Sequence, residues 1–214
     1  MGILVLALLG GLAYVATRKK PGAEAPSLLT SALDLAEREK KADVVNAIVE
    51  VEETKAAEAI IKGSPLPGAT PAQFWDFFRR MRRFPLGDVV KGPKEDYFGS
   101  FHLGTRTLGD LGVMTVHRAP DGRYVGSWKV TDFLTSAKSQ YLAWLKLAQE
   151  YRAVIVGRHG SVIGTTVDGT RLSLSGLLGL AMSGGLATLA KWLESPADRK
   201  PETTALLRRY NGVF

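Results

Sequence analysis

The sequence predicts a mainly α-helical protein, in which a helical domain follows an N-terminal transmembrane anchor and a helical stalk. Apolar residues recur at the spacing of an amphipathic helix in several long segments, and the alternation expected of a multi-stranded sheet is missing. An uncharged apolar run at residues 2–17 predicts the anchor. The expected organisation is an anchor at 1–20, a linker and stalk at 21–62, a Pro/Gly linker at 63–71 and a domain at 72–214.

The composition excludes several kinds of chemistry. The chain of 214 residues contains no cysteine, which excludes disulfides, cysteine-ligated zinc and thiol catalysis. It contains three histidines, too few for a histidine-rich metal site, and we expect no metal and no cofactor. The formal net charge of +7 predicts attraction to polyanions such as nucleic acid, anionic lipid headgroups and the bacterial cell wall.

The run at residues 2–17 is followed at once by Arg18-Lys19-Lys20. At about 1.5 Å per residue it covers roughly 24 Å, and snorkelling of the basic side chains brings it close to a bilayer core of about 30 Å. A cleavable signal peptide carries its positive charges before the apolar run. We therefore expect a single membrane span, with residues 18 onward on the cytoplasmic side or inside a virion membrane. The alternative is a buried helix of the core.

The segment from Ser27 to Lys62 predicts a helical stalk. Its Ala, Glu, Lys and Leu content and its apolar spacing favour helix, with a break near Asp43. We expect this segment to act as a stalk or as a docking arm for a protein partner. The Pro/Gly-rich segment 63–71 then marks the strongest boundary in the chain.

The first helix of the domain is predicted to begin at Thr70-Pro71, with Thr70 as its cap. It carries an aromatic face and then a basic cluster, formed by Phe74, Phe77 and Phe78 and by Arg79, Arg80, Arg82 and Arg83. Such a cluster is a candidate contact for nucleic acid. Arginine clusters are more often a solvated face or a contact for anionic lipid, so we do not expect nucleic acid as a partner.

The remainder of the domain alternates between loop-like and helical sequence. Residues 88–126 are glycine-rich and loop-like, and a long helix is then predicted at 130–152, capped by Thr131 or Asp132. A turn at Asp168-Gly169 precedes two helical runs and a last helix from Pro201 to Tyr210.

The uncharged stretch 172–190 is a candidate for a second membrane span. Its serines and the pair Gly184-Gly185 favour a buried helical hairpin instead.

Several short motifs follow one another along the domain. They lie at Tyr97–Gly104, at Leu108–Gly112, at Phe133–Gln140, at Ser173–Gly185 and at Trp192-Leu193. In this order they resemble the Gly-x-aromatic-Gln-aromatic-Gly, Leu-x-Asp-x-Gly and later helix motifs of lysozyme-like peptidoglycan hydrolases from phages and prophages. The resemblance covers about residues 70–214.

The resemblance implies a lysozyme-like helical fold and cleavage of peptidoglycan between N-acetylmuramic acid and N-acetylglucosamine, as a muramidase or a lytic transglycosylase. In that family a glutamate after the first helix protonates the glycosidic oxygen. The corresponding position falls near Phe84, and His102 replaces the family's glutamine. The candidate acids are therefore Glu95 and Asp88.

The predicted substrate-binding residues are Tyr97, His102, Gln140 and Tyr151. The expected partners are peptidoglycan and, through the N-terminal helix, a membrane, either the internal membrane of a virion or the bacterial cell envelope. The alternative function is that of a catalytically degenerate lysozyme-like protein, which binds glycan or serves as a structural component of a membrane or virion.

Overall fold

The computed structural model describes residues 51–214, so the predicted anchor and most of the predicted stalk lie outside the described residues. The described part is mainly helical, as predicted. Within this part, no helix combines the length and apolar character that crossing a bilayer requires.

Residues 51–63 form helix α1, and the end of this helix packs into the core of the domain. Ala57 and Ile61 are buried there, and so is Leu66 in the turn that follows. The Pro/Gly-rich segment 63–71 therefore contributes a core side chain of its own, and the hydrophobic packing continues across it.

Helix α2 (Pro71–Met81) begins where the sequence predicts. The Thr70 hydroxyl accepts a hydrogen bond from the Gln73 backbone N–H, and Oε1 of Gln73 accepts one from the Thr70 backbone N–H. This capping box satisfies N–H groups that the first turn of a helix leaves without partners. The predicted aromatic face of the helix is buried.

The segment after α2 forms strands, where the sequence analysis predicted loop. Three two-residue strands, β1 (Val89–Val90), β2 (Tyr97–Phe98) and β3 (Leu103–Gly104), form an antiparallel sheet. The short helix α3 (Thr105–Asp110) follows. The segment ends with a hairpin of β4 (Met114–Arg118) and β5 (Tyr124–Trp128). Strands of two residues are too short to show a period-2 pattern. The turn Pro120-Asp121-Gly122 of the hairpin was a signal that the sequence analysis missed.

The long helix α4 (Ala137–His159) begins later than predicted. The sequence predicts the cap at Thr131 or Asp132, but residues 131–135 form a turn in which Asp132 O accepts from the backbone N–H of Ser136. Ser136 is the cap, and its hydroxyl accepts from Ser139 N at 3.1 Å. Several good capping residues stand within six positions here, so capping preference alone could not select one.

The C-terminal elements match the prediction closely. Strands β6 (Thr166–Val167) and β7 (Thr170–Arg171) form a hairpin that turns at Asp168-Gly169. Three helices follow, α5 (Leu174–Gly184), α6 (Leu186–Glu194) and α7 (Pro201–Tyr210). The stretch 172–190 is a helical hairpin with a largely buried first helix, broken at Gly185, where φ is +84°.

The buried side chains form two clusters. The helical region, made of α1, α2, α5 to α7 and one face of α4, is packed around Trp144, Tyr141 and the aromatic residues of α2. The sheet region, residues 88–133, is packed around Phe98, Leu108 and Phe133. Helix α4 lies between them, because its other face gives Ala143 and Leu147 to the sheet region.

Candidate functional site

The residues of the three-stranded sheet lie in two rows, one on each face, and Val89 is exposed in the row of Phe98 and Leu103. The register of the sheet aligns Val90, Tyr97 and Gly104 in one row across the strands, and we call this row the open sheet face. Phe98 and Leu103 point the other way and are buried in the sheet region. Tyr97 and Val90 remain exposed, at 36% and 41% of their surface.

Glu95 lies over the open sheet face at Gly104. Its Oε2 accepts a hydrogen bond from the backbone N–H of Arg106 at 2.8 Å. A Cβ atom at position 104 would lie 2.7–2.9 Å from the atoms of the Glu95 carboxylate, closer than real Cβ contacts. Only glycine at position 104 therefore lets the carboxylate occupy this place.

Tyr97 stands beside Glu95 on the same face. Its ring approaches the backbone at Gly92 so closely that a Cβ there would lie 2.9 Å from Cε2. Partial burial raises the pKa of the Tyr97 phenol, and the negative charge of Glu95 raises it further. The ring thus packs against the backbone at Gly92, while about a third of the Tyr97 surface stays exposed.

Tyr151 of α4 shares the electrostatic surroundings of Glu95. Burial is the main reason that the pKa of its phenol is raised, and the carboxylates of Asp110, Glu150 and Glu95 raise it as well. The Arg106 guanidinium acts in the opposite direction. Glu95 and Tyr97 thus lie together on the open sheet face, whereas Tyr151 packs against the buried clusters and is reached by the charge of Glu95 only weakly.

Asp88 and His102 form a separate pair. The Nε2 atom of His102 is hydrogen-bonded to Oδ2 of Asp88, and both side chains are partly exposed. The imidazole also stacks on the Phe84 ring, with centroids 3.3 Å apart and planes within 4°. His102 has a left-handed backbone (φ +49°). Phe84, at the position where the resemblance implies a glutamate, thus supports the histidine that replaces the family's glutamine.

Gln140 is held inside the protein, away from any open surface. Only 1% of it is exposed. Its Nε2 donates to Leu86 O and Phe133 O, both at 2.8 Å, and its Oε1 accepts from Ser100 N at 2.8 Å. These contacts fix the turn between β2 and β3 against α4. In this structure the Gln140 amide has no free hydrogen to offer a ligand, and its role is positional.

Two residues of this site were missed by the sequence analysis. Gly104 makes room for the Glu95 carboxylate, and Arg106 supplies its backbone donor. The signal that would identify them is the strand register, which cannot be derived from strands of two residues. Across residues 51–214, no three histidine, aspartate or glutamate side chains are grouped so as to hold a metal ion.

The chemistry available on the open sheet face suits a sugar. An exposed aromatic ring offers an apolar surface for the C–H face of a pyranose, while a carboxylate and a phenol beside it offer hydrogen bonds to hydroxyl groups. A carboxylic acid in the same place has the group needed to protonate a glycosidic oxygen.

No protein-family model, curated protein or solved structure significantly matches this chain. The lysozyme-like resemblance stays a prediction from the motifs.

Proposed function

We propose that this protein is a peptidoglycan-degrading enzyme with a lysozyme-like domain, which binds the glycan strand on the open sheet face and cleaves it with Glu95 as the acid. The observation that supports this function best is the position of the Glu95 carboxylate over Gly104, beside the exposed ring of Tyr97 on that face. An aromatic platform and a carboxyl group next to each other are what recognition and cleavage of a sugar chain require.

In this proposal the proton sits on Oε1 of Glu95, since Oε2 accepts the Arg106 N–H. The acid gives the proton to the glycosidic oxygen as the bond to the anomeric carbon breaks and an oxocarbenium-like transition state forms. The resulting carboxylate then takes a proton back. In a muramidase the proton comes from a water molecule, whose oxygen bonds to the anomeric carbon. In a lytic transglycosylase it comes from the sugar's own 6-hydroxyl, whose oxygen bonds to that carbon and closes the anhydro ring.

Asp88 and His102 provide a second acid–base pair near the same sheet. An imidazole can accept and donate a proton, and the hydrogen-bonded carboxylate of Asp88 orients that of His102. In this arrangement the pair borders the glycan rather than replacing Glu95.

A second candidate function is binding of glycan without cleavage. Phe84 stands where the resemblance implies the catalytic glutamate, and its ring is stacked on His102. A domain that had lost the acid would still bind sugar on the open sheet face but would no longer cleave the glycan strand.

We also propose that the apolar run at residues 2–17 anchors the protein by a single span, in a virion membrane or in the cell envelope. The segment 27–62 then remains a candidate contact for a protein partner.

The deciding experiment is digestion of purified peptidoglycan by the full-length protein in detergent, with the released fragments analysed by mass spectrometry. Glu95→Gln removes the acid but keeps an oxygen that can accept the Arg106 N–H, so the fold contact is preserved. We expect wild type to release muropeptides and Glu95→Gln to lose at least about a hundredfold in rate, the usual contribution of a general acid. Glu194→Gln, at an exposed position on α6, is the matched control and should stay active.

The products and the other variants separate the alternatives. Anhydromuramyl ends identify a transglycosylase, and reducing muramyl ends identify a hydrolase. Loss of activity in Asp88→Asn but not in Glu95→Gln would show that the Asp88–His102 pair, and not Glu95, supplies the proton. No release by folded wild type that still sediments with peptidoglycan would leave binding as the function.

A further inference from the structure

Six arginines lie at or just beyond the C-terminal ends of α2 and α7, which contact each other through Arg80, Arg209 and Tyr210. The phenol of Tyr210 donates to Arg80 O at 3.3 Å, and the Arg80 guanidinium donates to Arg209 O at 3.2 Å. We call this area the arginine surface, and its members are Arg79, Arg80, Arg82, Arg83, Arg208 and Arg209. We propose that the arginine surface binds the anionic headgroups of a phospholipid bilayer.

Few carboxylates neutralise these charges. Asp76 is shared by Arg79 and Arg80, at 3.4 and 2.8 Å. Glu58 lies 3.9 Å from Arg82 and at the same distance from Lys62, so it too is shared. Six guanidinium groups face two carboxylates, one of which is also shared with Lys62, so the arginine surface keeps at least four positive charges.

The other arginines are held by neutral groups. Arg83 donates to the Ser183 hydroxyl at 3.1 Å, and Arg208 donates to the Thr170 hydroxyl at 3.1 Å. The guanidinium of Arg209 lies over the ring of Tyr210. Such contacts fix the side chains in place without removing their charge, so the surface is preorganised for an outside anion.

The guanidinium groups are accessible to a partner. The side chains of Arg79, Arg80 and Arg82 are 61%, 46% and 40% exposed. Phe84, which follows the cluster directly, is also exposed at 36%. Exposed arginine beside exposed aromatic surface is the combination found where proteins meet the headgroup layer of a membrane.

A bilayer is favoured over nucleic acid by the N-terminal sequence. The apolar run at residues 2–17 and its basic flank, Arg18-Lys19-Lys20, predict that the chain is tethered to a membrane. Tethering raises the effective concentration of headgroups at the domain, so that individually weak charge contacts become sufficient. The inference rests on this predicted anchor and is independent of glycan cleavage.

The test measures the reactivity of individual arginines in the full-length protein bound to vesicles. Protein is reconstituted into phosphatidylcholine vesicles with or without phosphatidylglycerol, treated with phenylglyoxal, and analysed by mass spectrometry. Because the predicted anchor would insert into both kinds of vesicle, a difference between them reports headgroup charge. We expect Arg79, Arg83 and Arg209 to react several-fold more slowly with phosphatidylglycerol present, and Arg118 on β4 to be unaffected.

Salt and a charge variant complete the test. Added salt should restore the reactivity, because headgroup attraction is screened. The double variant Arg79→Gln/Arg209→Gln should reduce the protection of Arg83, whereas Arg118→Gln should not. Equal reactivity in the two kinds of vesicle would overturn the proposal. So would stronger protection of the same arginines by duplex DNA, which would make nucleic acid the partner.

Discussion

The helical and sheet regions differ in the size of their hydrophobic cores and in the functional groups that they expose. The helical region is held together by a continuous aromatic cluster around Trp144, which contacts side chains from α2 and from the turn between β2 and β3. The sheet region has a smaller core, strands of two to five residues, and the open face with Glu95 and Tyr97. Stability is thus concentrated in one region and candidate chemistry in the other. This division is common where loops and small sheets are mounted on a rigid scaffold.

The largest expected effect comes from the helical region. Trp144 is fully buried, and its ring centroid lies 5.0 to 6.1 Å from four other rings, those of Phe74, Phe77, Phe78 and Phe101. Trp144→Ala is expected to lower the free energy of unfolding by about 3–5 kcal/mol, measured by urea denaturation. Leu103→Ala in the sheet region should cost about 2–3 kcal/mol. An equal or larger loss for Leu103→Ala would contradict the contrast between the regions.

A smaller effect is expected at the residue that joins them. Gln140→Leu removes three hydrogen bonds and leaves Ser100 N, Leu86 O and Phe133 O without their side-chain partner. We expect a loss of about 1–3 kcal/mol in the free energy of unfolding. Amide hydrogen exchange of Ser100 should accelerate, while exchange in α5 stays slow.

Gln149→Leu, at an exposed position of the same helix, is the control and should change the free energy of unfolding by no more than about 0.5 kcal/mol. Unchanged exchange at Ser100 in Gln140→Leu would show that the turn does not depend on the amide.

The smallest effect concerns the tyrosines. Tyr97 in the sheet region and Tyr141 in the helical region both have a raised pKa, mainly because of burial. Of these two phenols only that of Tyr97 is also raised by Glu95, so Glu95→Gln should lower the pKa of Tyr97 and leave that of Tyr141 unchanged. Carbon-13 NMR titration of the tyrosine ring carbons measures both values, and Glu194→Gln should move neither.

The raised values also predict a pH dependence. A phenol whose pKa is higher in the folded than in the unfolded protein stabilises the fold fully below about pH 10, the unfolded value. That stabilisation is lost as the pH rises through the folded value. The free energy of unfolding should therefore decrease above about pH 10. A constant free energy of unfolding across that range would contradict the assigned direction of the shifts.

The helical region could largely be predicted from sequence because its signals are local. Thr70-Pro71 marks the start of α2, the phenylalanines of α2 mark its buried face, and Gly185 separates α5 from α6. Each signal acts within one or two turns of helix, where capping, spacing and backbone freedom decide the outcome.

The sheet region and the site could be predicted only in part. Glu95, Tyr97 and Tyr151 were selected as candidates, but the proximity of Glu95 to Tyr97 depends on strand register and the place of Tyr151 on the packing of α4, neither of which is local. Gln140 was selected as a sugar contact by analogy of motif, and the structure places it among backbone groups instead. A buried glutamine and a surface glutamine look the same in a sequence.

Because Glu95 lies against Gly104, a substitution at either position affects the other. Any side chain at position 104 would displace the carboxylate from its place over the backbone, and a shorter side chain at position 95 would leave the Arg106 N–H without its acceptor. Neither position is therefore free to change alone while the site is kept. Among distant homologues, a glutamate and a glycine at these two places would mark descent of the site more reliably than the aromatic residues around them, which other rings can replace.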